Sequence, residues 1–506
     1  MGAATALTAA AYGCGAGGDA NADPATVAPR GSTVYLAATV RPDGDQKQAV
    51  DRIGRMVFRV SDPGTRIQQL VDRSFKRNRD TRNVSYADDV EPWLGKRAAV
   101  VVVRLAGANR TAAIFAAKDT GEAEELVDRV ANEARPRWLE RSYRGVDYRF
   151  DPSDASGQGV VGDYLVAGDG AAFRAVVDAF KTGQGLTDQA TYRGVAAAAR
   201  GKLGFGYIDL NRTTAGLSAR GALPAGLLRS LTGVTTPARP VTLSLSARPD
   251  RVTVEAVVRG AKSTAAADGS TRLVGQLPGD SWLALGLPRV GRSLRRALAR
   301  AGGGAGGALV RTVRRAVRTR TGLDLDRDLL PALGDTAFFA RGSSLLSVGA
   351  GLVVATPDPA ATRRVLGRLR QFVQREAANR GVRTTDASIA GAHGFNVTSP
   401  QLPGAVDVVI RGDRLVAAYG EAATREALGA TDHLAGAPEY RAAQDSLDGV
   451  PPAMFLSFAP VAGLVGTQTG PGAQRASAYL SALRTLAVGS RAEGDRRTGR
   501  IVVTVR

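Results

Sequence analysis

The residue types that most often carry chemistry are few and scattered. The 506-residue chain has one cysteine, Cys14, and two histidines, His393 and His433. A disulfide framework and a Cys- or His-rich metal centre are therefore excluded. Acids are more suggestive: Asp88, Asp89 and Glu91 cluster before Pro92, and Asp324, Asp326 and Asp328 alternate before Pro331. The second set matches the first three ligand positions of a calcium loop, but the glycine and terminal glutamate of that loop are missing. Acids at a helix N-terminus, favourable with its dipole, are the plainer reading. A Ser-His-Asp set could in principle draw on either histidine. No G-x-S-x-G elbow accompanies them, and two ordinary surface or half-buried histidines are the plainer reading.

Other short motifs dissolve on inspection. Gly302 to Gly307 fit G-x-G-x-x-G, but an Arg-rich helical segment precedes them where a dinucleotide loop needs a strand. Gly201-Lys202 is followed by Leu203 and lacks the Ser or Thr of a phosphate loop. Arg411-Gly412-Asp413 spells an adhesion tripeptide. The matching earlier site, Val161-Gly162-Asp163, marks the position as a strand-entry turn. No catalytic residue, metal ligand or cofactor is assigned.

Charge carries more information. Basic residues number 67 against 47 acids, a formal net charge of +20, and only seven of the 67 are lysines. Such a balance favours anionic partners. Ten arginines, with no acid and no lysine, fall between Arg289 and Arg320. Leu287, Val290, Leu294, Leu298 and Ala301, then Val310, Val313 and Val317, recur at helical spacing. Two amphipathic helices with basic outer faces are predicted. Their apolar stripe is expected to cover a sheet, and on that ground a solvated helix pair is the preferred reading. The functional reading is a face for anionic membrane or polymer, carried by Arg292, Arg295, Arg296, Arg300, Arg311, Arg314, Arg315 and Arg318. Gln48 to Arg82 is the counterpart in the first half, with its charge relieved by Asp51, Asp62, Asp72 and Asp80.

The helices belong to an internal repeat. Glu91-Pro92-Trp93-Leu94-Gly95 and the strand after it match Leu330-Pro331-Ala332-Leu333-Gly334 and its strand. Gly162-Asp163-Tyr164-Leu165-Val166-Ala167 matches Gly412-Asp413-Arg414-Leu415-Val416-Ala417. Tyr192-Arg193 matches Tyr440-Arg441, and each half closes with a hairpin, turning at Pro249-Asp250 and at Gly494-Asp495. The order is kept at an offset of about 240 to 250 residues. Two homologous domains are predicted, residues 28–261 and 271–506, joined by a polar linker at 262–270. Tight turns between strands require antiparallel pairing. The predicted class is α+β, each repeat a mainly antiparallel sheet with amphipathic helices covering one face.

At the N-terminus, Met1 to Gly13 carry no charge, Cys14 follows, and Gly15 to Asp19 are mostly glycine. The arrangement resembles a bacterial lipoprotein signal, in which the cysteine takes the lipid. It departs from that pattern at Ala11 and Tyr12 and in having no Lys or Arg before the apolar run. Residues 1–27 are expected to be this signal and a flexible tether, lipidated at Cys14. No other segment approaches the ~18 apolar residues that a spanning helix needs.

The proline-glycine-strand opening, the Pro-Trp-Leu-Gly block and the Gly-Asp-x-Leu-Val strand resemble the bacterial family called domain of unknown function 3352, over nearly the whole chain after Ala28. That resemblance implies a secreted or membrane-attached protein and supplies no catalytic residues. The leading expectation is a non-enzymatic, extracytoplasmic lipoprotein, a binding or scaffold protein held on the cell membrane. An enzyme of unrecognised, hydrolase-like type is the second reading. An electrostatic binder of anionic lipid or wall polymer is the third. Nucleic acid is the weakest partner, because aromatic residues are 5% and no recognition module is present.

Overall fold

The computed structural model describes residues 19–78, 80–105, 108–134, 137–209, 240–260, 267–302, 307–342, 348–377 and 381–506. Cys14, residues 262–266 of the predicted linker and residues 303–306 of the glycine run lie outside them. Two compact units make up the chain. One comprises Met1–Ser263 with Arg491–Arg500 and Val505–Arg506, the other Thr264–Ser490 with Ile501–Thr504.

The first unit contains strands β1 (Ser32–Thr39), β2 (Leu94–Leu105), β3 (Ala108–Ala117), β4 (Leu139–Tyr143), β5 (Val146–Asp151), β6 (Ser156–Val161), β7 (Tyr164–Asp169), β8 (Gly204–Ile208), β9 (Val241–Arg248) and β10 (Arg251–Arg259). Its helices are α1 (Gly44–Phe58), α2 (Pro63–Arg77), α3 (Thr120–Glu133), α4 (Gly170–Thr182) and α5 (Ala190–Ala196). These strands pair antiparallel, in the order β4-β5-β6-β7-β3-β2-β1-β8-β9-β10.

The second unit contains β11 (Ser281–Leu287), β12 (Asp335–Arg341), β13 (Gly349–Ala355), β14 (Arg383–Ile389), β15 (Ala392–Thr398), β16 (Val406–Arg411), β17 (Arg414–Tyr419), β18 (Met454–Ser457) and most of β19 (Leu483–Glu493), while the residues of β20 (Arg496–Val505) are divided between the two units. Its helices include α6 (Ala267–Gly275), α7 (Val290–Gly302), α8 (Gly307–Thr321), α9 (Pro359–Ala377), α10 (Glu421–Gly429) and α11 (Pro438–Ser446). The antiparallel order is β14-β15-β16-β17-β13-β12-β11-β18-β19. Strand for strand, this is the order of the first nine strands of the first unit.

The expectation that helices cover one face of each sheet is corrected. In β3, Ala112, Ile114 and Ala116 join a core with Phe173, Val176 and Val177 of α4. Phe115 and Ala117 point the other way, into a core with Ala123, Leu126, Val127 and Val130 of α3. The second unit repeats this division. Val353 and Val416 pack with Ala423 and Ala427 of α10, while Val354 and Leu415 pack with Leu366 of α9. A strand buried on both faces must be apolar at every position, and the unbroken run Ala112-Ala113-Ile114-Phe115-Ala116-Ala117 meets that condition.

Two predicted boundaries also move. The body begins before residue 28: Ala22, Ala25, Val27 and Ala28 are all in the first core. Asp23 caps the short helix Pro24–Thr26, its side chain accepting from Ala25 N. Its carbonyl accepts from Tyr164 Oη at 3.0 Å, and Arg97 Nη1 stands 3.6 Å from Asp23 Oδ2. Residues 19–27 are thus folded, and alanine-rich composition concealed it because alanine fits tight interiors with little hydropathy signal. At the other end of the first domain, residues 267–270 are the first turn of α6 and not linker, with Ser270, Leu273 and Val274 buried.

Candidate functional site

The acid clusters are consumed as caps. Leu325–Leu329 forms a single π-helical turn with Asp324 as its N-cap, accepting from Asp326 N and Arg327 N. Asp328 Oδ2 closes the same turn by accepting from Asp324 N at 2.7 Å. Tyr86–Val90 is the equivalent π turn, where Asp89 Oδ2 accepts from Ser85 N at 2.6 Å. Among the described residues, no group of three or more His, Cys, Asp or Glu could hold a metal ion. His393 lies exposed in β15, and His433 lies exposed at the N-cap of the short helix Leu434–Gly436. Gly412 and Gly162, with φ of 59° and 57°, hold the two-residue turns between β16 and β17 and between β6 and β7. That left-handed conformation suits glycine.

The basic helix pair is built differently from its predicted role as sheet cover. At its start α7 is pressed against the segment before β12: Val290 N donates to Gly334 O at 3.0 Å and Gly291 N to Leu333 O at 2.9 Å. A Cβ at Gly291 would lie 1.7 Å from Leu330 O, so only glycine permits this contact. Beyond it, residues 292–297 are all exposed. In α8, Gly307 and Val310 are buried. Of the stripe residues whose burial is described, Val310 alone is buried, and Val290, Leu298 and Val317 are half-buried. Leu294 is 44% exposed, Val313 40%, and Leu309, which the periodicity did not include, 68%. The stripe therefore faces solvent along much of its length. Helical spacing reports that a face is apolar and is silent about what covers it.

The eight candidate arginines divide into groups. Arg314 Nε pairs with Asp326 Oδ2 at 2.7 Å, and Arg318 pairs with Asp324. Hydrogen bonds to the Asp324 carboxylate from Arg327 N and Arg318 hold its pKa below the ordinary carboxylate value. Arg295 Nη2 donates to the carbonyl of Asp326 at 3.1 Å, which leaves its charge uncompensated. Arg292, Arg296, Arg311 and Arg315 are exposed and pair with no acid among the described residues. The side chain of Arg300 lies outside the described ones. The acids that neutralise Arg314 and Arg318 stand just beyond the acid-free window, so the sequence count overstated the available charge.

The family described as "Protein of unknown function (DUF3352)" matches residues 21–499. The chain belongs to this family. No curated protein matches it. Among solved structures, crystal form I of TP0453 is similar at 13% identity and a TM-score of 0.28, over 49% of this chain and 82% of that one. Crystal form III gives 13% and 0.25, over 49% and 83%. At these TM-scores the likeness decides nothing for this DUF3352 member.

Proposed function

We propose that this DUF3352 protein is a non-catalytic binding protein of the extracytoplasmic membrane face, anchored by a lipid on Cys14 and held to anionic surface by the α7–α8 helix pair. The observation that carries the reading is the set of four exposed arginines, Arg292, Arg296, Arg311 and Arg315, with no acid partner on either helix. Each such charge near an anionic surface is worth roughly 1 kcal/mol. The short distance from anchor to body supports the same reading. Asp19, the first of the described residues, stands five residues after Cys14, and five residues reach at most about 18 Å. A lipid there would keep the first unit close to the surface.

We also propose that the two units are copies of one repeat. Their common strand order, the paired π-turn caps at Asp89 and Asp328, and the edge-on contacts Tyr192–Phe205 and Tyr440–Phe455 support this.

The test is a salt titration. Full chain with Cys14→Ser, free of lipid, should pellet with vesicles containing phosphatidylglycerol at low salt and be released at high salt, because the Debye length shrinks below ~8 Å. Binding that is indifferent to salt contradicts the reading. Mass spectrometry of the mature protein from its host should show a lipidated Cys14 at the new N-terminus. An unmodified Cys14 inside a longer mature chain rules the anchor out.

A further inference from the structure

The arginines explain attraction to any polyanion. They do not explain why large apolar side chains stand in solvent beside them. Among the described residues ten large apolar side chains are exposed, and four of these, Leu287, Leu294, Leu309 and Val313, fall on or immediately before α7–α8. Nothing in the second unit's cores takes them up. We infer that the α7–α8 pair enters the headgroup–acyl boundary of an anionic bilayer, with Leu294, Leu309 and Val313 as the inserted side chains. This rests on the surface-binding reading above and specifies its target as lipid.

Charge and apolarity together select that occupant. A wall polymer or other soluble polyanion would satisfy the arginines and leave the leucines in water. A second copy of the same helix pair would cover the leucines but bring together two sets of arginines that pair with no acid among the described residues. A bilayer surface carrying anionic headgroups meets both demands: phosphates for the guanidinium groups, and an apolar layer a few ångströms below for the side chains between them. Helices of this composition lie in the membrane plane with the apolar face sunk ~5–10 Å. The first unit contains the same combination. Leu70 on α2 is 42% exposed, 239 residues before Leu309, with Arg73, Lys76 and Arg77 exposed on the same helix.

The experiment uses the full chain with Cys14→Ser and vesicles of phosphatidylcholine with or without phosphatidylglycerol. Replacing Leu294, Leu309 and Val313 by serine should weaken binding to the anionic vesicles by at least about tenfold, a change of 1.4 kcal/mol, with an unchanged thermal transition. In a second variant, Leu309→Trp, the emission gained over that of the parent chain, which carries Trp93, Trp138 and Trp282, should shift to the blue and be quenched by lipid brominated on its acyl chains. Should the serine variant fail to fold, the tryptophan reading decides alone. An indole that stays unquenched on vesicles that pellet the protein overturns insertion and leaves surface attraction intact. Equal binding by the serine variant, with soluble polyphosphate competing fully, has the same meaning and points to a polymer ligand. Failure of the unsubstituted chain to pellet with anionic vesicles overturns the underlying reading as well.

Discussion

Arg314 Nε lies 2.7 Å from Asp326 Oδ2, while Arg315, the next residue on the same helix, is exposed and pairs with no acid among the described residues. Neighbouring residues of one type thus have separable roles. Arg314 ties α8 to the π turn that follows, and Arg315 is left available to a ligand. Arg314→Gln should lower stability by about 0.5 kcal/mol, the ordinary worth of a partly exposed pair, and change vesicle binding little. Arg315→Gln should leave the denaturation midpoint unchanged and weaken binding about fivefold, as expected for ~1 kcal/mol. Denaturant titration and vesicle pelleting on the same two proteins check both halves. Identical behaviour in the two assays would remove the distinction.

A pH-dependent term is built into the second unit. Asp407 on β16 is buried, and burial raises its pKa from the ordinary aspartate value, partly offset by Thr424 Oγ1, which donates to Asp407 Oδ2 at 2.9 Å. A carboxylic acid with a raised folded-state pKa binds its proton more tightly folded than unfolded. Stability therefore falls as pH rises from the ordinary value near ~3.9 through the raised one, and stays lower at neutral pH. Asp407→Asn should remove that cost. The amide can donate to Thr424 Oγ1 while the hydroxyl turns to Gly420 O, 3.1 Å away. The expected gain is on the order of 1 kcal/mol at pH 7, shrinking to nothing below about pH 4. Thermal melts of both proteins from pH 3.5 to 7.5 check it; a gain that does not depend on pH would assign the effect to something other than ionisation.

How much of this was legible in the sequence differs from feature to feature. The turns at Gly162 and Gly412 were legible, because two-residue turns between alternating apolar runs have a narrow chemistry. So were α7 and α8 as helices. The exposure of Leu294 and Val313 was not, since periodicity marks an apolar face without naming its cover. Leu309 lies four residues before Val313 and could have been included on spacing alone. The roles of Asp324 and Asp326 were half-legible: an acid cluster before a helical turn reads as a cap, but the arginines that reach it come from α8, across a fold the linear sequence does not display. The apolar run of β3 signals burial on both faces, which the expectation of helices on one face of each sheet passes over. The folded segment from Asp19 to Ala28 gave little warning, because its buried side chains are small and its polar residues serve its own turns.

That segment makes a prediction of its own. Deleting residues 1–18, expected from the sequence to be signal and tether, should leave the thermal transition within about 0.5 kcal/mol of the full chain. Deleting residues 1–28 removes four buried apolar side chains and the Asp23 bonds to Tyr164 and Ala25. The loss should reach roughly 3–5 kcal/mol, comparable to a large core truncation, and fall on the first unit. Calorimetry of the two truncations separates the cases, and equal transitions would return residues 19–28 to the tether.

The most direct measurement of the central claim is vesicle binding by one variant in which Arg292, Arg296, Arg311 and Arg315 are all glutamine. The change removes four charges, leaves the Arg314–Asp326 and Arg318–Asp324 pairs in place and does not touch Gly291 or Val310, which seat the helices. With phosphatidylglycerol vesicles at low salt, the account predicts a fall in affinity of at least about a hundredfold, from roughly 1 kcal/mol per charge, and an unchanged melting transition. Undiminished binding by this folded variant would contradict the account and leave the arginines of α7 and α8 as solvated surface.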